Sequence, residues 1–156
     1  MPASNPRTPL AILAAALLLA ASAWAADTSA PATNDPLAAA RTQIAQKRWP
    51  EAIAELKQVN ATGSADWHNL MGYALRKNQP PDYAAAERHY DEALRIDPKH
   101  RGALEYSGEL YLLTGRLERA EARLAALDKA CFLPCEEYTD LKKAVEQYKA
   151  QPAAKR

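Results

Sequence analysis

The sequence predicts an all-α fold, an α-solenoid of about three helix-turn-helix units followed by a C-terminal capping helix. Three observations predict it. Apolar residues recur at spacings of three and four through most of the chain after residue 36, and no segment alternates with a period of two. The small residues Ala52, Ala86 and Ala120 hold the same place in successive units and lie 34 residues apart. A repeat of this length indicates stacked helical hairpins.

The first 25 residues are predicted to be a signal peptide. Residues 10–21 are an unbroken run of Ala, Leu and Ile, which has the length of a signal-peptide apolar core. The Ala-Trp-Ala sequence at 23–25 places small residues at the −3 and −1 positions, so we predict cleavage after Ala25. The alternative is an uncleaved membrane anchor, which the shortness of the run disfavours. We therefore expect an exported protein, periplasmic or secreted.

The charge of the exported chain disfavours nucleic acid as a partner. Without residues 1–25, which contain Arg7 and no acidic residue, the chain has 19 basic and 19 acidic residues. Phosphate binding requires a net basic surface, which this balance does not supply. No second apolar run is long enough to span a bilayer, so we expect no stable membrane insertion after cleavage.

Turn and break signals divide the rest of the chain. Residues 26–35 are small and polar and are predicted to be a flexible linker. Pro50 suits the first turn of a helix, Pro80 and Pro81 interrupt the second unit, and Gly115 suits a tight turn in the third. The helical repeat domain is predicted to span 36–150, with units at about 33–64, 65–100 and 101–134, a capping helix at 136–150 and a tail at 151–156.

Small residues are expected to set the packing within each hairpin. Two antiparallel helices approach closely only where a side chain is small. Ala86 and Ala120 are predicted to allow this approach from the second helices of their hairpins, and Gly72 and Gly108 from the first helices. The last helix combines an apolar side with a lysine-rich side, which is typical of a cap on a stack of repeats.

The pattern of small and aromatic residues resembles the tetratricopeptide repeat. The residues that carry the resemblance are Ala86, Tyr90, Ala93, Pro98, Gly108, Tyr111, Gly115, Ala120 and, in the first unit, Trp49 and Ala52. The second unit departs from the family pattern by about two extra residues between its helices, and the first unit lacks the helix glycine and the closing proline. The resemblance, of the exported bacterial type, implies a module that binds protein or peptide partners, and it identifies no partner.

In this family the first helix of each unit lines a concave groove. Carried onto this chain, the groove positions are Arg41, Asn69, Tyr73, Arg76, Glu105 and Glu109. This stripe would run from basic through polar and aromatic to acidic side chains, and it would accept an extended peptide or a helix. The alternative is an ordinary solvated surface. If the stripe binds a partner, Tyr73→Ala or Arg76→Glu is expected to weaken partner capture while changing stability by no more than about 0.5 kcal/mol.

Cys131 and Cys135 predict a disulfide between the third unit and the capping helix. Disulfides are the usual state of cysteines in exported proteins, and Pro134 keeps the intervening turn non-helical. A metal site, for copper above all, a redox-active pair and free thiols are the alternatives. No His or Met lies within six residues of the pair and no C-x-x-C spacing is present, which disfavours the first two.

The sequence contains no recognisable catalytic constellation. His68, His89 and His100 are scattered and are interpreted as surface residues, and no nucleophile elbow, phosphate-binding loop or zinc-protease motif is present. The predicted protein is a non-enzymatic adaptor of the periplasm without cofactor, metal or catalytic residue. We expect it to hold a peptide or partner subunit and to assist assembly of an envelope complex. The alternatives are a copper or thiol-redox protein and self-association through the capping helix or the convex surface.

Overall fold

The structure, a computed structural model, describes residues 35–152. The predicted signal peptide, all but the last residue of the predicted linker, and residues 153–156 of the tail lie outside the described residues. Asp35, the last residue of that linker, accepts a hydrogen bond from the Leu37 amide at 2.9 Å and so caps the chain as it enters the first helix.

Seven helices and no strands make up the described residues, which confirms the all-α fold. Their bounds are α1 Ala38–Ala45, α2 Trp49–Val59, α3 Ala65–Lys77, α4 Tyr83–Ile96, α5 Arg101–Leu113, α6 Leu117–Ala130 and α7 Glu136–Ala150. The first six form three antiparallel hairpins, and α7 packs on both helices of the third.

Local side-chain chemistry sets the helix ends. The Ser64 hydroxyl and the Asp82 carboxylate each accept a hydrogen bond from a first-turn amide, so they cap α3 and α4. Pro50 lies in the first turn of α2, where its missing N–H removes no helical hydrogen bond. Asn60, with φ +47°, ends α2 in the left-handed conformation, and Gly115, with φ +74°, makes the turn between α5 and α6.

The helices form two rows that differ in spacing. In the inner row, α1 contacts α3, α3 contacts α5, and α5 contacts α7. In the outer row, α2, α4 and α6 make no comparable backbone contacts with each other within the described part of the chain. The inner row is therefore on the concave side of the stack. We call the surface of α1, α3, α5 and α7 the inner face, and that of α2, α4 and α6 the outer face.

Two glycines, Gly72 and Gly108, each permit a close approach between helices. At one of them the approaching helix differs from the predicted one. A Cβ at Gly72 would lie 2.8 Å from the Tyr90 ring and 3.1 Å from the Ala86 carbonyl oxygen, so Gly72 joins the two helices of the second hairpin as predicted. The three atoms nearest to a Cβ at Gly108 all belong to Leu141 of α7, at 2.5–3.2 Å. Gly108 therefore receives the capping helix, a contact that the prediction placed within its own hairpin.

The apolar core runs along the stack between the two rows. Leu56 and Met71 lie in its first part, Ala86 and Tyr90 in its middle, and Leu127 with Leu141 in its last part. Because Leu141 and Val145 are buried while the lysines of α7 are exposed, α7 covers the end of the core as a cap.

Candidate functional site

Three side-by-side pairs join α3 and α5 on the inner face. The Asn69 amide lies against Gly102, where a Cβ would be 3.0 Å from its Nδ2. One turn on, the rings of Tyr73 and Tyr106 lie 4.6 Å apart between centroids. At the third step, Arg76 Nη2 is 2.7 Å from Glu109 Oε2. We call these three pairs the inner ladder, and four of the six predicted groove residues belong to it.

Arg76 is the centre of the inner ladder. Its side chain is only 2% exposed, and its guanidinium lies 5.4 Å from the Tyr73 ring centroid and 5.6 Å from that of Tyr106. The ion pair with Glu109 and the two rings compensate the burial of its charge. Arg76 Nε and Asn69 Oδ1 are nevertheless buried without a hydrogen-bond partner. Arg76 is therefore a buried positioning residue, in contrast to the exposed groove residue that the sequence suggested.

Carboxyl groups gather where α5 meets the start of α7. Glu105 and Tyr106 line a hollow of about 230 Å³ together with Glu136, Glu137 and Asp140, and we call it the acidic hollow. Burial, and then the neighbouring Glu109, Asp140 and Glu137 carboxylates, raise the pKa of Glu105 to about 8, against the lowering effect of Arg76. Burial and Glu105 also raise the pKa of Tyr106 to about 12.

A second, larger cavity of about 420 Å³ opens at the other ends of the same helices. Its polar side is formed by Arg76, Lys77 and Glu109, and its apolar side includes Leu112 and the 61% exposed Leu113. Residues of the C-terminal half of α7 complete its wall. The inner face thus offers one acidic and one partly apolar recess, with the inner ladder between them.

A polar chain links the N-terminal ends of the inner helices. Arg41 of α1 reaches Asp66 of α3 at 3.3 Å, and Asp66 in turn lies 2.9 Å from His100 Nε2 at the start of α5. Since His100 Nδ1 accepts the Ala103 amide, its Nε2 carries the proton that is donated to Asp66. Arg41, a predicted groove residue, is exposed and belongs to this series of polar contacts. It thus lies apart from the other five predicted groove residues.

Two aromatic residues of the site were missed by the sequence analysis. The Tyr106 ring packs against Tyr73 at a tilt of 43°, and Trp49 at the start of α2 makes an edge contact with Tyr73, with ring centroids 5.8 Å apart. The spacing of the repeat could have identified Tyr106. Tyr73 and Tyr106 are about one repeat length apart, and such positions become neighbours when units stack.

The outer face carries a separate set of ion pairs between α4 and α6. Arg116 and Arg119 both reach Glu87 Oε1, at 2.8 and 3.0 Å, and Arg123 reaches Asp91 at 2.9 Å. The three guanidinium groups also lie within 4.6–5.6 Å of the Tyr111 ring centroid. This network bridges the wider spacing of the outer helices.

The interpretation of all three histidines as surface residues is wrong for His68. His68 is buried and its Nδ1 lies 2.9 Å from Nδ1 of His89, while its Nε2 lies 3.0 Å from the Thr62 carbonyl oxygen. A carbonyl only accepts, so His68 Nε2 is protonated and, in the neutral pair, His89 Nδ1 donates to His68 Nδ1. Burial, His68 and Arg88 together lower the pKa of His89 to about 4. The pair joins α3 to α4 away from the inner ladder.

The sulfur atoms of Cys131 and Cys135 lie 2.03 Å apart, the distance of a disulfide bond, with their Cα atoms 6.0 Å apart. Within residues 35–152, no three His, Cys, Asp or Glu side chains are grouped in a way that would hold a metal ion. None of the helices described here combines the length and apolar character needed to cross a membrane.

The comparisons with known proteins agree with this architecture. The tetratricopeptide repeat family model matches residues 81–145, a region that contains most of the residues on which the resemblance to that family rests. No curated protein sequence matches the chain.

Two solved structures share the fold. The chain is similar to the type III secretion translocator chaperone SycD of Yersinia enterocolitica, with 19% identity and a TM-score of 0.63 over 72% of this chain and 80% of SycD. It is also similar to SycD in complex with a peptide of the translocator YopD, with 17% identity and a TM-score of 0.59 over 72% and 85% of the two chains. At these identities the likeness establishes the fold.

Proposed function

We propose that this protein is a non-enzymatic adaptor of the periplasm that holds a peptide or a segment of a partner subunit on its inner face. The observation that carries the proposal is the inner ladder, where Asn69 Oδ1 is buried between helices without a hydrogen-bond partner. Buried polar atoms in folded proteins are almost always paired, so unpaired ones on a concave face are candidates for pairing with a ligand.

The aromatic residues beside this atom supply the apolar part of such a site. Tyr73 is half-buried and its ring contacts those of Trp49 and Tyr106, so the three rings form a rigid aromatic cluster that binds at little cost in side-chain entropy. A peptide lying across α3 and α5 would contact this surface and the two recesses beside it. The peptide-bound SycD structure supports this use of the fold, because that relative holds a peptide of the translocator YopD.

Export supports the cellular part of the proposal. The predicted cleavage after Ala25 would release a mature chain with equal numbers of basic and acidic residues. In the periplasm such a protein would assist the assembly of an envelope complex by holding one subunit before it is incorporated. Mass spectrometry of the protein purified from the periplasm should give a mature chain that begins at Ala26, and a chain that retains residues 1–25 would contradict the location.

Site-specific photocrosslinking tests the binding function. A photoreactive phenylalanine analogue at Tyr73 should form a defined adduct in the periplasm, whose partner segment is then mapped by mass spectrometry. The matched control is the same analogue at Glu118, which is exposed on α6 of the outer face. The proposal fails if position 118 gives the same adduct or if position 73 gives none.

The substitution Tyr73→Ala gives a second test. It should lower capture of the mapped segment at least fivefold, because the aromatic surface is lost. The contacts of Tyr73 with Trp49 and Tyr106 imply a stability loss of about 1 kcal/mol, more than the sequence suggested. Tyr73→Phe keeps the ring and should retain most of the binding and the stability. Capture that is unchanged in Tyr73→Ala would contradict the proposal.

A further inference from the structure

Glu105 is the most deeply buried carboxyl group of the acidic hollow. It is 8% exposed, it lines the hollow, and no described residue gives it a hydrogen bond or an ion pair. Burial of most of the side chain disfavours the ionised form of an unpaired carboxyl group. The carboxyl group of Glu105 is therefore available to a ligand that enters the hollow.

The cations around Glu105 have other partners. The titratable groups that face it are Arg76 and Tyr73 on α3, Arg101, Tyr106 and Glu109 on α5, and Glu136, Glu137 and Asp140 on α7. Arg76 pairs with Glu109 at 2.7 Å, and Arg101 lies 3.6 Å from Glu137. The hollow thus has more carboxyl groups than guanidinium groups, and its excess charge is negative.

The size and walls of the hollow suit the head group of one side chain. Its volume is about 230 Å³. This is several times the roughly 30 Å³ that one water molecule occupies in the liquid. Four of the five lining residues carry a carboxyl group, and the fifth is Tyr106. An ammonium or guanidinium group in the hollow could therefore reach several carboxyl groups together.

We propose that the acidic hollow binds a lysine or arginine side chain of the peptide that the inner face holds. This inference rests on the proposed function and specifies the chemistry of its ligand. The cation would pair with Glu105 in the buried part of the hollow and with Asp140 at its exposed edge. Charge-assisted hydrogen bonds of this kind are shorter and stronger than neutral ones, so the subsite would select basic peptides.

Binding of the cation would also release a proton. Glu105 is mostly protonated in the empty protein at neutral pH, because its pKa is about 8. A lysine ammonium in the hollow favours the ionised form, so the affinity should rise with pH. Between pH 6 and pH 8 we expect a gain of about tenfold or more for a lysine peptide. The same peptide with norleucine in place of the lysine should show no such change.

Selection from a phage-displayed library of random twelve-residue peptides tests the inference with the mature full-length protein. We expect the selected peptides to share a lysine or arginine at one aligned position. A representative peptide and its norleucine counterpart are then compared by calorimetry in buffers of different ionisation enthalpy, which report the proton release directly. Binding to Glu105→Gln should be about tenfold weaker for the lysine peptide and unchanged for the norleucine peptide.

Two further variants serve as controls for this interpretation. Asp140→Asn, at the exposed edge of the hollow, should weaken the lysine peptide about threefold without affecting the fold, since Asp140 is exposed. Glu118→Gln removes an exposed carboxylate from the outer face and should leave the affinity unchanged.

Each outcome decides one of the two proposals. Selected peptides without a shared basic residue, or equal affinity of the lysine and norleucine peptides, would overturn the cation subsite and leave the binding function standing. A selection that enriches no peptide at all would count against the binding function and the subsite together. Equal losses in Glu105→Gln and Glu118→Gln would show an effect of overall charge and would also overturn the subsite.

Discussion

The inner and outer faces of this stack both carry charged residues between successive units, and they treat those charges differently. On the outer face, Arg116 and Arg119 share Glu87, and these pairs are at least partly exposed. On the inner face, Arg76 is buried with Glu109, while Glu105 is buried with no partner. The outer ion pairs join two units through charges that stay partly exposed. On the proposed function, a bound peptide would pair with polar groups that the inner face buries.

The largest effect is expected where a buried charge is removed from the inner face. Arg76→Met keeps the aliphatic stem but leaves Glu109 without its cation and removes the guanidinium from both tyrosine rings, while Lys77 Nζ remains 5.7 Å from the Tyr73 ring centroid. We expect the free energy of unfolding to fall by about 2–3 kcal/mol in urea titrations followed by circular dichroism, somewhat less than for a fully buried pair because Glu109 can hydrate.

Arg119→Met is the matched control on the outer face. Arg119 is 61% exposed and Arg116 remains to pair with Glu87, so the expected loss is within about 0.5 kcal/mol. Equal losses in the two variants would remove the distinction between the faces.

A medium effect with a defined pH dependence is expected at Glu105. Its pKa is raised from 4.5 to about 8 on folding, so the folded state binds the extra proton between these values. Its contribution to stability is therefore greatest below pH 4.5 and is lost as the pH rises toward 8. Glu105→Gln should match the wild type at pH 5 and exceed it by about 1–3 kcal/mol at pH 8, measured by urea titration at both values. A variant that is less stable than the wild type at pH 8 would show that Glu105 has a stabilising partner.

The smallest effect is expected for the exposed carboxylates of the outer face. Asp91→Asn removes the partner of Arg123, whose guanidinium still lies near Tyr111. We expect a loss within about 0.5 kcal/mol with little pH dependence between 5 and 8. A loss above about 1 kcal/mol in thermal or urea unfolding would mean that the outer network acts cooperatively. The two faces would then not differ in how much their charged residues contribute to stability.

The helices were predictable because their signals are local. Pro50, the Ser64 cap and Gly115 mark helix ends through their own backbone chemistry, and the spacing of the alanines gives the repeat. The burial of Arg76 was not predictable in the same way. Helical periodicity places Arg76 on the inner side of α3, but how much of that side α5 covers depends on the approach of two units, which no local pattern encodes.

The contact between His68 and His89 was hidden for a similar reason. The two residues lie on different helices of one hairpin, so a search for pairs at helical spacing does not find them. The contact of Gly108 was also not predictable, because it is made with α7, which lies outside the repeat pattern. Leu141 of α7 packs directly over Gly108. Of the six residues of the inner ladder, the sequence analysis named four as groove positions, while Gly102 and Tyr106 follow from the packing of units.

On the proposed function, the position of α7 would also limit how long a ligand can be. Because Leu141 fills the space over Gly108, α7 stands where the first helix of a fourth unit would begin, and the inner row ends there. Neighbouring helix axes lie roughly 8–10 Å apart, so the four inner helices span roughly 24–30 Å. An extended chain rises about 3.3 Å per residue, so this span corresponds to roughly seven to nine residues. The protein would therefore read a short stretch of its partner and leave the flanking segments free to fold or to engage the next component.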